Sequence, residues 1–446
     1  MTKITHIGGG SFTWGPAFLR DIFTTPELRG CTVCLQDIDP GRMEQVYRLG
    51  QKMRADFSLD YHLEQTSDLE VALDGAEFII LTITTGGLEA MRPDLEIPAR
   101  YGIRQSVGDT TGPGGLSRAL RNIPVVAGLA AKIDELCPQA LLLNYTNPLS
   151  TLTRTLAMLR SVENRTVGLC HEWHGVRGRL AALFGVPVEQ VQSRLAGINH
   201  LVWLTGLNIA GRDAWDELHE LAAKILSGQV DADPHESSVF VDKSKVKARL
   251  LQLYGALPVA GDRHVAEFFP HFINEWTGWG ADYGLQLTDI EFRQGMEFFA
   301  RALLESTLKG ETPLSSFMAQ RSGEAAAEII AAVTTGGRYL GILNLPNVGQ
   351  VSNLPYDVIV ETYGLIDRTG AQALAFGDLP PGVQAVLERH IRNQELTVEA
   401  ALTGDRLMAL QVLLNDPLSS RLTVNQAESM LAELLAANKD LLPQFH

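Results

Sequence analysis

Through its first half the chain alternates short apolar runs with stretches of helical period. Lys3-Ile4-Thr5-His6-Ile7 alternates polar and apolar positions as a first strand does, then breaks into Gly8-Gly9-Gly10-Ser11. Helical periodicity follows over residues 16–23, and residues 31–35 read as a second strand. A helix over 41–57 leads to a buried strand at 76–82, which carries Phe78-Ile79-Ile80-Leu81. A helix over 117–136 leads to a strand at 140–143. Finally Val167-Gly168-Leu169 stops at Cys170, ahead of a helical pattern over 176–184. Strands separated by helices predict an α/β fold, a doubly wound parallel sheet of the Rossmann type whose ligands sit at the strands' carboxyl ends.

From about residue 196 the pattern changes. Leu201-Val202-Trp203-Leu204 has strand character, and residues 215–226 form an amphipathic helix. Residues 230–244 are polar and read as a mobile insertion. The remainder is expected to be largely helical, interrupted at Asn344-Leu345-Pro346-Asn347 and Asn353-Leu354-Pro355; residues 380–442 are helix-rich. Length and the change of pattern predict two domains, 1–195 and 196–446, the second α+β. Between the helical stretches, Gly108-Asp109-Thr110-Thr111-Gly112-Pro113-Gly114-Gly115 reads as a structured surface loop.

Charge narrows the function. A formal net charge of −15 with no basic cluster argues against a nucleic-acid groove. No apolar run is long enough to span a bilayer, and the chain opens on a strand rather than a leader peptide. Four cysteines in 446 residues make no disulfide framework, which suits a reducing cytoplasm. Cys31 and Cys34 have redox-pair spacing, but residues three apart on a strand face opposite sides, so they are read as core packing.

The chemistry sits where strands end. Strand, glycine turn and helix give Gly8, Gly10, Ser11 and Phe12 the context of a pyrophosphate cradle, although Thr13 stands at the third glycine position. On its own the loop is equally a plain tight turn. At the end of the second strand, Asp37 is placed to hold ribose hydroxyls; alternatively Asp37 and Asp39 cap the next helix. Taken in order, the two features predict an NAD site, with Thr84, Gly86 and Asn144 expected beside the cofactor. Cys170 and His200 read either as two ligands of one metal or as a buried small hydrophobe and a satisfied core histidine.

In combination these pieces resemble glycoside hydrolase family 4, the NAD- and metal-dependent glycosidases. The resemblance is carried by residues 8–11, 108–115, 144–148, Cys170-His171-Glu172, 197–200, 262–270 and the paired Asn-Leu-Pro segments. It implies oxidation at sugar C3 by NAD, deprotonation at C2, elimination of the glycosidic oxygen, addition of water and re-reduction, an exception to two-carboxylate displacement. It also implies Mn2+, or another divalent metal, held by Cys170 and His200 as a Lewis acid. Asp262 is then the expected base and Asp109 the acid, with Asn147, Arg92, Arg263, His171 and Glu172 near the sugar. Trp173 departs from the smaller residue common after the Cys-His pair.

The implied partner is a small-molecule glycoside, with no nucleic acid or membrane, and the implied assembly is a homodimer or homotetramer. Cys170-His171-Glu172-Trp173 is unlike the phospho-sugar branch, so an unphosphorylated α-linked hexoside is expected. Neutral sugars and hexuronides stay equally open. The competing reading is an NAD-dependent 2-hydroxy-acid dehydrogenase of the lactate/malate type, which shares the fold and the cofactor.

Overall fold

The computed structural model describes residues 2–231 and 242–445. Six strands make the first half: β1 (Lys3–Ile7), β2 (Thr32–Gln36), β3 (His62–Thr66), β4 (Phe78–Leu81), β5 (Leu141–Asn144) and β6 (Thr166–Gly168). All pair in parallel, in the order β3-β2-β1-β4-β5-β6. That order reverses direction between β1 and β4, where a crevice opens at the carboxyl ends of the strands. β4 and β5 are buried on both faces because helices cover each side, which is why they read as continuous apolar runs. Phe78 and Ile80 enter one core; Ile79 and Leu81 enter the other.

The second half is antiparallel. It contains β7 (Val191–Ile198), β8 (Leu201–Ile209), β9 (Arg212–Asp213), β10 (Leu257–Pro258), β11 (Tyr339–Pro346), β12 (Ile359–Asp367) and β13 (Gly370–Ala373). β11 joins β6 at Asn344↔Gly168, so one sheet runs through both halves. The expected division at 195/196 therefore falls inside β7. The remainder is largely helical as expected, except for one stretch. Residues 339–373 are three strands, because β12 alternates or fully buries its side chains between β7 and β11.

The glycine stretch 108–115 is also not a surface loop. The helix Gly112–Leu136 begins inside it, and Gly112, Gly114 and Gly115 are buried. The lack of side chains lets Gln105 and Asp416 reach the backbone: Gly114 N–H donates to Gln105 Oε1 and Gly112 N–H to Asp416 Oδ2, both at 2.9 Å. The C-terminal helices fold back over the first half: Pro381–Thr403 packs on Gly112–Leu136, and Val424–Ala437 on Gly87–Arg100. Cys31 and Cys34 are buried free thiols, pushed by burial up to about 12 and about 11, as core packing requires. The polar stretch 230–244 falls mostly outside the described residues. Among the described residues no helix is long and apolar enough to cross a membrane.

Candidate active site

A cavity of about 1740 Å³ follows the carboxyl ends of the parallel strands, roomier than the roughly 300–1,000 Å³ of a drug-sized site. One end is built on the first glycine loop. Gly8 has φ +89°, and a Cβ there would lie 2.3 Å from the Thr82 carbonyl oxygen. Gly8 and Gly9 N–H both donate to the Gln36 carbonyl at 2.9 Å, and Gly10 N–H donates to Asp37 Oδ2 at 2.9 Å. Thr13 stands just before the helix Trp14–Phe23. Gly15 does the packing that a third glycine would do, since its Cβ would fall 2.6 Å from the Gly9 carbonyl oxygen.

The two acids after β2 divide the roles proposed for them. Asp39 caps the helix Pro40–Asp56 by accepting from Gly41 and Arg42 N–H, whereas Asp37 faces the glycine loop and lines the cavity. Gly8, Ser11, Phe12, Thr84 and Gly86 line it too; Gly10 stands behind. Asn144 does not reach it. Its amide is buried, donating to Thr153 Oγ1 at 3.1 Å and accepting from Thr146 N–H at 2.9 Å. The glycines and Asp37 fit a dinucleotide, since the backbone is open to close approach and an acid waits at the ribose position.

The other end gathers Asp109, His200 and His264, whose ligand atoms lie within 4.8 Å of one another. Three segments deliver them. His200 sits in the two-residue turn between β7 and β8 at φ +64°, a conformation that costs a non-glycine residue roughly 1–2 kcal/mol. His264 lies on the short helix Asp262–Ala266, and its ring centroid is 3.9 Å from that of His200. Asp109 is placed by Glu267, whose Oε1 accepts from Val107 and Gly108 N–H at 2.8 and 2.9 Å.

Thr110 fixes the proton on His200. Its hydroxyl donates to Asp109 Oδ1 at 2.9 Å, so the His200 Nδ1 at 2.8 Å must be the donor to Thr110 Oγ1. The lone pair of His200 is then on Nε2, the state a ligand needs. Burial pushes both imidazoles down to about 4, so they are neutral. Burial is the largest single influence on Asp109 and opposes its ionisation, but the basic neighbours together, Arg118 first and then His264, His200 and Arg293, outweigh it and hold the carboxyl at about 2. Asp109 is therefore ionised in the resting site.

Cys170 lies two residues beyond β6 and lines the same cavity, although outside the 4.8 Å group. Burial, then Glu361 and Glu172, push its thiol well up, the surroundings of a sulfur that needs a cation to ionise. His264 Nδ1 is buried without a protein partner. Two neutral imidazoles, a carboxylate and a thiol are a donor set suited to a divalent metal.

The remaining expected residues separate. Asn147 lines the cavity, its carbonyl accepting from Arg118 Nε at 3.0 Å; Arg118 Nη2 also donates to Thr84 Oγ1 at 2.9 Å. His171 lines it while its Nδ1 pairs with Glu324 at 2.9 Å, and that contact raises its pKa. Glu172 accepts from Gly261 N–H at 2.7 Å and stands 3.5 Å from His264 Nε2. Trp173 is buried. Arg263 lines the cavity, but its guanidinium donates to Gln286 O, Ser106 O and Thr288 Oγ1. Arg92 does not line it, being ion-paired with Glu96 and Glu291 at the surface.

Nor is Asp262 brought in. It is 2% exposed, and its two oxygens accept from Val246 and Lys247 N–H at 3.0 Å, closing the start of the helix Lys245–Tyr254. Sequence reasoning passed over His264, Thr110 and Arg118. The signal for His264 is its place in Gly261-Asp262-Arg263-His264, beside an acid and an arginine of the same stretch.

Comparison with known proteins agrees with this geometry. Residues 3–186 match the family described as Family 4 glycosyl hydrolase, and residues 195–419 match its C-terminal domain. An alpha-galacturonidase of Bacillus subtilis (strain 168) is 35% identical over 443 residues, covering 97% of this chain and 96% of the relative. An alpha-galactosidase of the same strain is 31% identical over 453 residues, covering 100% of each. A solved 6-phospho-alpha-glucosidase from gut microorganisms, in complex with NAD and Mn2+, shares the fold at TM-score 0.82 and 21% identity, with 100% of each chain covered. The chain belongs to family 4 of the glycosyl hydrolases.

Proposed function

We propose that this chain hydrolyses an unphosphorylated α-linked hexoside with bound NAD and a divalent metal, Mn2+ in the first instance. One observation carries the reading: a single cavity joins the glycine loop and Asp37 to Asp109, Cys170, His200 and His264. When bound, NAD supplies a hydride acceptor for sugar C3 and returns the hydride at the end. The metal supplies Lewis-acid polarisation of the sugar oxygens beside it. Gly8, Ser11, Phe12 and Asp37 would hold the dinucleotide, and Cys170, His200 and His264 the metal. Asp109 accepts the proton from sugar C2, and the positive groups around it, Arg118 first, keep it ionised for that task. Asn147 meets the sugar, while Asp262 anchors the helix that follows the insertion.

An α-galacturonide is our first choice of substrate, supported by the alpha-galacturonidase relative. The guanidinium groups of Arg118 and Arg293, both of which act on Asp109, supply positive charge for a uronate carboxylate. The matched families at 3–186 and 195–419 support an NAD-binding part over 1–195 and a substrate, metal and oligomerisation part over 196–446. A cytoplasmic homodimer or homotetramer without nucleic-acid or membrane partners completes the reading. The four free cysteines support it. A hydroxy-acid dehydrogenase accounts for the cofactor but not for glycosidase relatives at full length.

The test is a panel of nitrophenyl α-glucoside, α-galactoside, α-glucuronide, α-galacturonide and a 6-phosphoglucoside. Each is assayed with and without NAD, Mn2+ and a thiol reductant. The galacturonide should be turned over at least about tenfold faster than the phosphosugar, a difference of about 1.4 kcal/mol. Omitting NAD or metal should stop turnover. A preference for the phosphosugar would overturn the substrate assignment, and activity without NAD would overturn the mechanism.

A further inference from the structure

A row of four residues crosses the sheet beneath the metal-side cluster. Gly197 on β7 faces Glu361 on β12, Glu361 faces Asn344 on β11, and Asn344 faces Gly168 on β6. The row therefore begins three residues before His200 and ends two residues before Cys170. Its centre is polar although wholly inside: Glu361 is 3% exposed, and Asn344 and Asn199 are 0%. Asn199 Nδ2 donates to Glu361 Oε2 at 3.1 Å, and Asn344 hydrogen-bonds Glu361 from the other side. Asn344 Nδ2 also reaches the Gly168 carbonyl at 3.4 Å.

Hydrogen bonds thus run from the strand end before Cys170 to the residue next to His200. Within the sheet β11 and β12 stand between β6 and β7, so the row is what links the two strand ends there. An apolar side chain would fill the centre of such a sheet at less desolvation cost than a carboxyl group. The amide oxygen of Asn199 has no protein partner and its residue lines the cavity, so the network opens toward the site.

We propose that Glu361 is a positioning residue that, through Asn199 and Asn344, sets the spacing of His200 and Cys170 and thereby the affinity of the site for a divalent metal. The inference rests on the metal-dependent reading above. It is tested by titrating Mn2+ into the full chain, free Mn2+ being read by electron paramagnetic resonance, with the melting temperature of each metal-free protein measured alongside.

Glu361→Leu should weaken Mn2+ binding about 10–100-fold, the range for partners of metal ligands, while the metal-free melting temperature holds or rises. Glu361→Gln keeps an acceptor for Asn199 but turns a donor toward Asn344, so it should lose clearly less affinity than Glu361→Leu. Asn199→Ala, which cuts the same link, should weaken binding as Glu361→Leu does, and it decides the matter if the leucine variant does not fold. Wild-type affinity in the variants that break the link, or the same loss in Glu361→Gln, overturns the positioning role alone. A wild-type protein that takes up no Mn2+ overturns the functional reading and this proposal with it.

Discussion

Cys170→Ala should lose metal-dependent hydrolysis by more than about a hundredfold, a larger effect than the 10–100-fold typical of groups one layer outside the ligands. NAD binding should be left almost unchanged. The reason is the position of the two sites along the sheet. The dinucleotide cradle ends β1 and Cys170 follows β6, with β4 and β5 between them. Three strand spacings put the sulfur roughly 14 Å from the cradle. Among the described residues no hydrogen bond of the Gly8–Ser11 loop or of Asp37 involves the Cys170 segment. The measurements are turnover of the best nitrophenyl glycoside and NAD affinity by quenching of intrinsic fluorescence. Equal loss of both in a folded variant would remove Cys170 from the metal side.

Asp109→Asn should reduce turnover about 10²–10⁴-fold, the usual contribution of a positioned acid or base. Asparagine keeps the shape and the contact with Thr110, so the loss reports the charge and the proton, not the packing. Two further consequences make the assignment specific. The carboxylate is ionised from about pH 2 upward, so the acid limb of the pH profile belongs to another group. Asp262→Asn should behave differently: it weakens the start of the helix Lys245–Tyr254, worth about 0.5–2 kcal/mol of stability, and leaves the chemical step nearly intact. If Asp262→Asn stops proton transfer while Asp109→Asn does not, the base is Asp262 after all.

The parallel half of the fold was legible because its strands are covered on both faces. Phe78–Leu81 and Leu141–Asn144 bury every residue, and such runs stand out against helical period. β3 did not, since His62-Leu63-Glu64-Gln65-Thr66 is an edge strand with one buried residue. β11 and β12 were hidden differently: their polar residues, Asn344 and Glu361 among them, are inside the sheet and interrupt the apolar pattern that marks a strand. The glycine stretch 108–115 was legible as special but not as buried, because its backbone is satisfied by the distant side chain of Asp416.

The candidate site was legible where one strand end carries one residue to the cavity, as with Asp37, Cys170 and His200. It was not legible on the helix Asp262–Ala266. Successive helical residues point about 100° apart, so Asp262 turns to the helix Lys245–Tyr254, Arg263 to Ser106 and Gln286, and His264 to His200. A motif read as a string does not say which of three neighbours faces the cavity. The same holds for Asp109, whose proposed role rests on its charged neighbours and Thr110 and not on its own position in the chain.

In the proposed mechanism the glycosidic bond breaks after a proton leaves sugar C2, with Asp109 receiving it. Hydrolysis of the preferred nitrophenyl glycoside by the wild-type protein in deuterated water, with the released sugar examined by proton NMR and mass spectrometry, tests this most directly. Deuterium is expected at C2 of the product, with its incorporation slowed in Asp109→Asn in step with turnover. Full retention of hydrogen at C2 during normal turnover would contradict that mechanism.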